Sequence, residues 1–416
     1  MFMKQLCVTL LCVFSVVNFT VMAQKPLIQY DLGKLTELKM SLIEKTASVE
    51  TQKEYRSLLK KADKTLLKEN PTVINKTIQT PSKSKNDYLS ISRYWWPKKG
   101  NKRAPWVRKD GKTNPDTQTD AVDRKRLSRM IRYVETLSLA YFFSGKEEYA
   151  QKGISVLNTW FIESKTKMNP HLQYSQSVPG NPKSRRSGIL DGRGIPLKVL
   201  DAITLLSKSK YWTEEEKLGI NKWLIEYTIW LVYSKTGIAG SKQENNHGSW
   251  YNTQMAALGY YTGDIAIVKN AVEKTKNLLI HQLNTDGSQS HELKRTRSYF
   301  YSCFNLDAIT RTAIIAEKAG VPFWNFKTDE GKGIAKAIEF LIPAANGEKW
   351  NYKTTSKGLE EVHLVPILKR VSGKLDSANF DSTYKVLVEK IISKSSKSSK
   401  EKKVLKDMNF LNQNLY

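Results

Sequence analysis

LSRMIRYVETLSLAYFFSGKEEYAQKGISVLNTWF, residues Leu127–Phe161, is the stretch whose reading decides the fold. Leu127, Met130, Ile131, Val134, Leu137 and Tyr141 recur at helical spacing, and Gly145 closes that helix. A second helix follows at once, with Tyr149, Ile154, Leu157, Trp160 and Phe161 as its apolar residues. The unit is a helical hairpin.

The hairpin is repeated. Tyr141-Phe142-Phe143-Ser144-Gly145 before a helix is echoed by Gly259-Tyr260-Tyr261-Thr262-Gly263 before another. Thr213-Glu214-Glu215-Glu216 is a capping box for a helix running through Trp223 and Trp230. Helical periods also cover 252–262, 265–282, 303–319, 330–343 and 379–392, and alternating strands are scarce. Hairpins of this kind cannot bury their apolar faces alone and must pack side by side, as an open solenoid or a closed ring. Long polar, aromatic-rich loops at 80–120, 165–193 and 237–250 favour the ring, because such loops can wall a cleft at one end. The expectation is an all-α (α/α) toroid, an incomplete barrel of about six to seven hairpins.

The ends read differently. Met1–Lys4 is a short cationic start and Leu6–Val17 an apolar run too short to span a bilayer. Val21-Met22-Ala23 offers a cleavage site before Gln24. Residues 1–23 are therefore expected to be a signal peptide, residues 24–392 one catalytic domain, and the product periplasmic or extracellular. Residues 393–416, beginning with a Lys/Ser-rich stretch, are expected to form a flexible basic tail. Cys7 and Cys12 fall in the leader, which leaves Cys303 without an intramolecular partner. No Cys/His spacing suggests a metal site, and no cofactor motif is present. The formal charge is +27. Such an excess attracts anions. Export and the absence of nucleic-acid motifs exclude nucleic acid and leave an anionic glycan as the partner.

Three segments carry candidate chemistry. Asn245-Asn246-His247-Gly248-Ser249-Trp250-Tyr251 ends a polar loop; Glu292 to Tyr301 (ELKRTRSYFY) enters a helix; Tyr94-Trp95-Trp96-Pro97 lies in a basic loop. Cutting a polyuronate by elimination requires neutralising the C6 carboxylate, removing the C5 proton and protonating the departing O4. A guanidinium fork with an amide or imidazole N–H suits the carboxylate. A tyrosine can move the protons if nearby positive charge lowers its pKa. Arg295, Asn246, His247 and Tyr301 supply the whole set. Each also has an ordinary reading: Arg295 pairing Glu292 along a helix, one of Tyr299 and Tyr301 in the core, and the Trp pair as a loop anchor.

The Asn-Asn-His loop and the Arg-x-Arg-Ser-x-x-Tyr segment resemble the alginate lyase superfamily, polysaccharide lyase family 5 and the related family 38. Tyr94-Trp95-Trp96-Pro97 and Asp191-Gly192-Arg193-Gly194 are closer to the family 38 branch. The resemblance implies an (α/α) toroid that cleaves mannuronan, alginate or glucuronan without a metal. It also implies that Asn246, His247 and Arg295 act on the carboxylate and Tyr301 is the catalytic acid/base, with Tyr299 and Arg297 as competing assignments. Tyr94, Trp95, Trp96, Tyr174, Gln176, Arg186, Arg193, Asn245, Trp250 and His291 are expected to line the substrate cleft. The rival functions are a glycoside hydrolase, which needs two carboxyl groups flanking the bond, and a non-catalytic polyanion-binding protein.

Overall fold

A computed structural model describes residues 25–98, 105–184, 187–356, 358–375 and 378–410. The expected signal peptide and Arg186 lie outside them. The described chain is mostly helical. In order it forms α1 (Leu32–Ile43), α2 (Val49–Leu66), α3 (Arg124–Ser144), α4 (Glu147–Phe161), α5 (Leu200–Leu206), α6 (Glu214–Tyr233), α7 (Lys235–Ser241) and α8 (Asn246–Thr262). There follow α9 (Ile265–Gln282), α10 (Ser290–Leu293), α11 (Ser298–Lys318), α12 (Ile334–Glu339), α13 (Ile342–Ala345), α14 (Val365–Val371), α15 (Ala378–Ser393) and α16 (Ser399–Phe410). Four short strands sit between the helices: β1 (Leu89–Ile91), β2 (Trp95–Trp96), β3 (Val107–Arg108) and β4 (Tyr174–Ser177). β1 pairs parallel with β4, and β2 antiparallel with β3.

The helices are those of an (α/α) toroid, and the hairpin signals act as their spacing predicts. α3 ends where Gly145 adopts φ 71°, and α8 where Gly263 adopts φ 83°, conformations that cost glycine no Cβ clash. The Thr213/Glu216 capping box is formed at the start of α6. α3, α4, α6 and α8 enclose one apolar core, including the fully buried Trp160 and Tyr227, while α9 and α11–α15 enclose a second. α8 and α11 join the two through Thr253, whose hydroxyl bonds Ala308 O at 2.9 Å and the Thr312 hydroxyl at 3.0 Å.

Three local expectations change. α8 begins at Asn246, so Asn246 and His247 open a helix instead of ending a loop, and the polar stretch at 237–250 is largely α7 and α8. α11, entered as expected from the 292–301 segment, begins at Ser298, with Arg295 in the link between α10 and α11. The segment expected to be a flexible basic tail contains α16, whose Glu401 and Val404 are buried and which packs on α2. Its amphipathic spacing was masked in the sequence by the surrounding lysines and serines. At the other end, the backbone amides of Ile28 and Gln29 donate to buried Asp201, and Lys318 donates to the carbonyls of Leu27, Ile28 and Tyr30. Residues 27–30 are thereby fixed to the ring.

Candidate active site

Asn246, His247, Arg295 and Tyr301 line one cavity of about 210 Å3, together with Tyr94, Trp95, Gln176 and Arg193. Three walls bring them there.

The first wall is the start of α8. Asn245 is its N-cap, and its side chain accepts from the amide of His247 at 2.9 Å, so its role here is in the helix end. Gly248 lets this turn lie against Gln243, since a Cβ would sit 1.9 Å from the Gln243 carbonyl oxygen. Asn246 is almost wholly buried. Its backbone amide and Nδ2 donate to Glu292 of α10, with Nδ2 at 2.9 and 2.8 Å from the two carboxylate oxygens. Glu292 thus holds Asn246, where the sequence offered it to Arg295.

Arg295 pairs instead with Asp110. Its Nε lies 3.1 Å from Oδ2 and its Nη2 2.7 Å from Oδ1, and Thr296 adds a backbone and a hydroxyl donor to the same carboxylate. Those bonds hold Asp110 well below the usual carboxylate range although burial works the other way. The clamped guanidinium lies 3.6 Å from the centroid of the Tyr301 ring.

The Tyr301 hydroxyl is 2.9 Å from that of Tyr94. The sequence reading expected positive charge to lower the tyrosine pKa. Here burial pushes the Tyr301 phenol up, the neighbouring Tyr94 adds to the rise, and the pull of Arg295 does not offset them. Tyr301 is therefore protonated in the substrate-free protein.

The third wall is the β1–β4 pair. Gln176 takes φ 48°, rare for a residue with a side chain, which costs backbone energy at a cavity wall. Its amide donates to Ser90 Oγ at 2.7 Å, and its Nε2 to Asp191 at 3.0 Å. Asp191 also accepts from Tyr88, Ser90 and Arg124. Burial raises its pKa, but Arg124 and these donors bring it below the ordinary value. Arg193 donates to Leu190 O at 2.6 Å and lies 5.5 and 5.6 Å from the rings of Trp250 and Phe304, with no ion pair among the described residues.

Other candidates lie elsewhere. Tyr299 is buried in the second core, its hydroxyl 3.3 Å from Leu341 O and its ring edge-on to Trp350. Arg297 pairs with Glu360, stacks 3.9 Å from the Phe300 ring centroid and interacts with the Tyr94 side chain. Trp96 anchors the β2–β3 hairpin by donating to Lys112 O at 3.0 Å, so only Trp95 of the pair faces the cavity. Tyr174 packs with Leu89, Ile91 and Val122, and Trp250 packs under Phe304. His291 sits 4.0 Å from Glu244, outside the cavity lining. Sequence reasoning missed Asp110, Phe300, Phe304 and the Arg124–Asp191 pair. Asp110 carried a signal, being the lone acid between Arg93 and Thr113. Among the described residues no group of three or more His, Cys, Asp or Glu is placed to hold a metal ion.

The alginate lyase family model matches residues 72–350. The crystal structure of an alginate lyase from Bacteroides ovatus matches with a TM-score of 0.82 at 32% identity, over 92% of this chain and 99% of that one. Alginate lyase A1-III from Sphingomonas species A1 shares the fold at 16% identity, with a TM-score of 0.52 over 83% of this chain and 88% of that one. No curated protein sequence matches. The toroid is that of a polysaccharide lyase. The chain belongs to the alginate lyase family.

Proposed function

We propose that the protein is exported and cleaves alginate or related polyuronates by metal-independent β-elimination, with Tyr301 as the proton-moving residue. The observation that carries this is the convergence of Tyr301, Arg295, His247 and Asn246 on one cavity, with the arginine fixed over the tyrosine ring.

In the reaction the C5–H bond breaks, its electron pair forms the C4–C5 double bond, and the C4–O4 bond breaks as O4 takes a proton. Arg295, Arg193 and Arg93 are cations of the cavity lining that can meet a substrate carboxylate, which makes C5–H more acidic. His247 completes that set. Asn246 joins it as its amide exchanges Glu292 for the substrate. Tyr301 begins protonated and so is ready to deliver a proton to O4. To take the C5 proton first, Tyr301 must release its own to solvent, with the Tyr94 hydroxyl, 2.9 Å away, as a relay that passes its own proton on as it accepts one. The C5 proton then goes through Tyr301 to O4, so the elimination itself neither gains nor loses a proton.

Among the described residues, the hydrolase alternative finds no uncommitted carboxyl group lining the cavity. Asp191 is committed to four donors, while Glu292, bonded to Asn246, and Glu244, beside His291, lie outside the cavity lining. The test is near-ultraviolet absorbance of products from a panel of polyuronates, with and without a chelator. A chelator-resistant rise in absorbance is expected; chain shortening without it would overturn the proposal.

A further inference from the structure

A second cavity of about 980 Å3 adjoins the first, and the reaction above leaves it unused. The two share a wall of Arg93, Arg124, Asp191 and Arg193. From there the larger cavity follows α3 from Arg124 to Thr136, about 18 Å at the helical rise of about 1.5 Å per residue. α2 flanks it through Glu54, Ser57 and Lys61, α11 through Asp307 and Arg311, and α16 through Ser399, Lys402 and Lys403. The α2 and α16 sets have the three- and four-residue spacings of single helix faces, so helices from the two ends of the chain turn one stripe each towards this groove.

The groove is cationic. Ten lysine and arginine side chains line it against four carboxylates. Three of those carboxylates, Asp191, Glu135 and Asp307, are already paired with Arg124, Lys198 and Arg311. Lys61, Lys125, Arg132 and Lys402 are exposed and make no ion pair among the described residues. Like charges held along one groove repel each other and concentrate anions there. An extended polyanion that carries one carboxylate per sugar matches a groove with charges spread along its length better than a compact anion does.

We infer that this groove binds uronate units of the polymer beyond those at the catalytic cavity, with α16 as one of its walls. The inference rests on the polyuronate reading. The experiment measures binding of a uronate tetramer and of a much longer oligomer to the full chain carrying Tyr301→Phe, by calorimetry. The longer oligomer is expected to bind at least about tenfold more tightly. Adding Lys61→Gln, Arg132→Gln and Lys402→Gln should remove that gain and leave tetramer affinity unchanged. If the triple set fails to fold, each single substitution should remove part of the gain. A gain that survives the substitutions, or no gain in the parent, overturns the inference. Unsaturated product from the wild-type chain is measured in parallel. Its absence would sink the lyase mechanism and leave the binding result standing, whereas product without a length-dependent gain sinks only the groove.

Discussion

Asp110 grips Arg295 from the side, accepting from Nε at 3.1 Å and from Nη2 at 2.7 Å, although 185 positions separate the two residues. A guanidinium held at two of its nitrogens cannot rotate about its long axis. The plane presented to Tyr301 is set by a residue on the basic loop, outside the segment that carries the arginine.

Asp110→Asn should therefore lower kcat/KM with little change in the melting temperature. A loss of about 10²-fold is expected for a misplaced reacting group. Arg295→Lys should be at least as damaging, because lysine keeps the charge and loses the fork. Steady-state kinetics on both variants checks this. Near-normal turnover in either would mean that Arg295 supplies only general positive potential.

Tyr301→Phe and Tyr299→Phe should separate chemistry from packing. Tyr301→Phe is expected to lower kcat by at least about 10²–10⁴-fold while oligomer binding persists, since the ring stays in place. Tyr299→Phe removes only a hydroxyl bonded to Leu341 O, so its cost should appear in stability of about 1 kcal/mol and not in kcat. The reverse pattern would reassign the acid/base.

Stability should fall as pH rises through neutrality, and Asp201 is the reason. Burial raises its pKa from 3.8 to about 7, against the pull of the Gln29 and Ile28 amides. A carboxyl group whose folded pKa is raised favours the protonated fold. Its contribution is complete below the unfolded value and is lost as pH rises through about 7. Thermal unfolding between about pH 5 and about pH 8 should show this decline, and Asp201→Asn should flatten it. An unchanged slope in the variant would assign the decline to another group.

Salt should raise KM more than it lowers kcat. The charge of +27 gathers a polyanion over distances comparable to the Debye length, about 8 Å at physiological ionic strength. The Arg295 and Tyr301 contacts act at shorter range and are screened less. Kinetics across a salt series decides it, and a flat KM would sink the steering argument.

Mannuronate- or glucuronate-type linkages should be cut faster than guluronate blocks. In the first two the C5 hydrogen and O4 share a face of the ring, so Tyr301 can serve both. In guluronate they lie on opposite faces and a second base is required, for which His247 lines the same cavity. His247→Ala should therefore cost any guluronate activity at least as much as the main one. Initial rates on block-defined polymers test this, and a wild-type preference for pure guluronate would overturn the single-tyrosine scheme.

The ring of hairpins was legible because its signals are local: apolar spacing along α3 and α4, the Thr213 capping box, glycines at helix ends. Asn246, His247, Arg295 and Tyr301 were legible through their motifs, and the structure brings all four to one cavity. Their partners were not. Asp110, Glu292 and Tyr94 meet them across 185, 46 and 207 positions, and no periodicity reports a contact made by ring closure. The same limit hid the true surroundings of Tyr299, whose place beside Trp350 depends on chain that follows it.

The clasp on residues 27–30 bears on the order in which the molecule can be completed. Leu27, Ile28 and Tyr30 enter the apolar interior, yet the groups that secure them, Asp201 and Lys318, are synthesised long afterwards. A nascent chain can begin to cover Leu27 and Tyr30 once α1 to α3 are made, but the bonds to Ile28 wait for Asp201, 173 positions on, and for Lys318, 290 positions on. Contacts of such separation close slowly. The clasp on this segment can therefore close only after α11 has been made, which places it among the late contacts of folding.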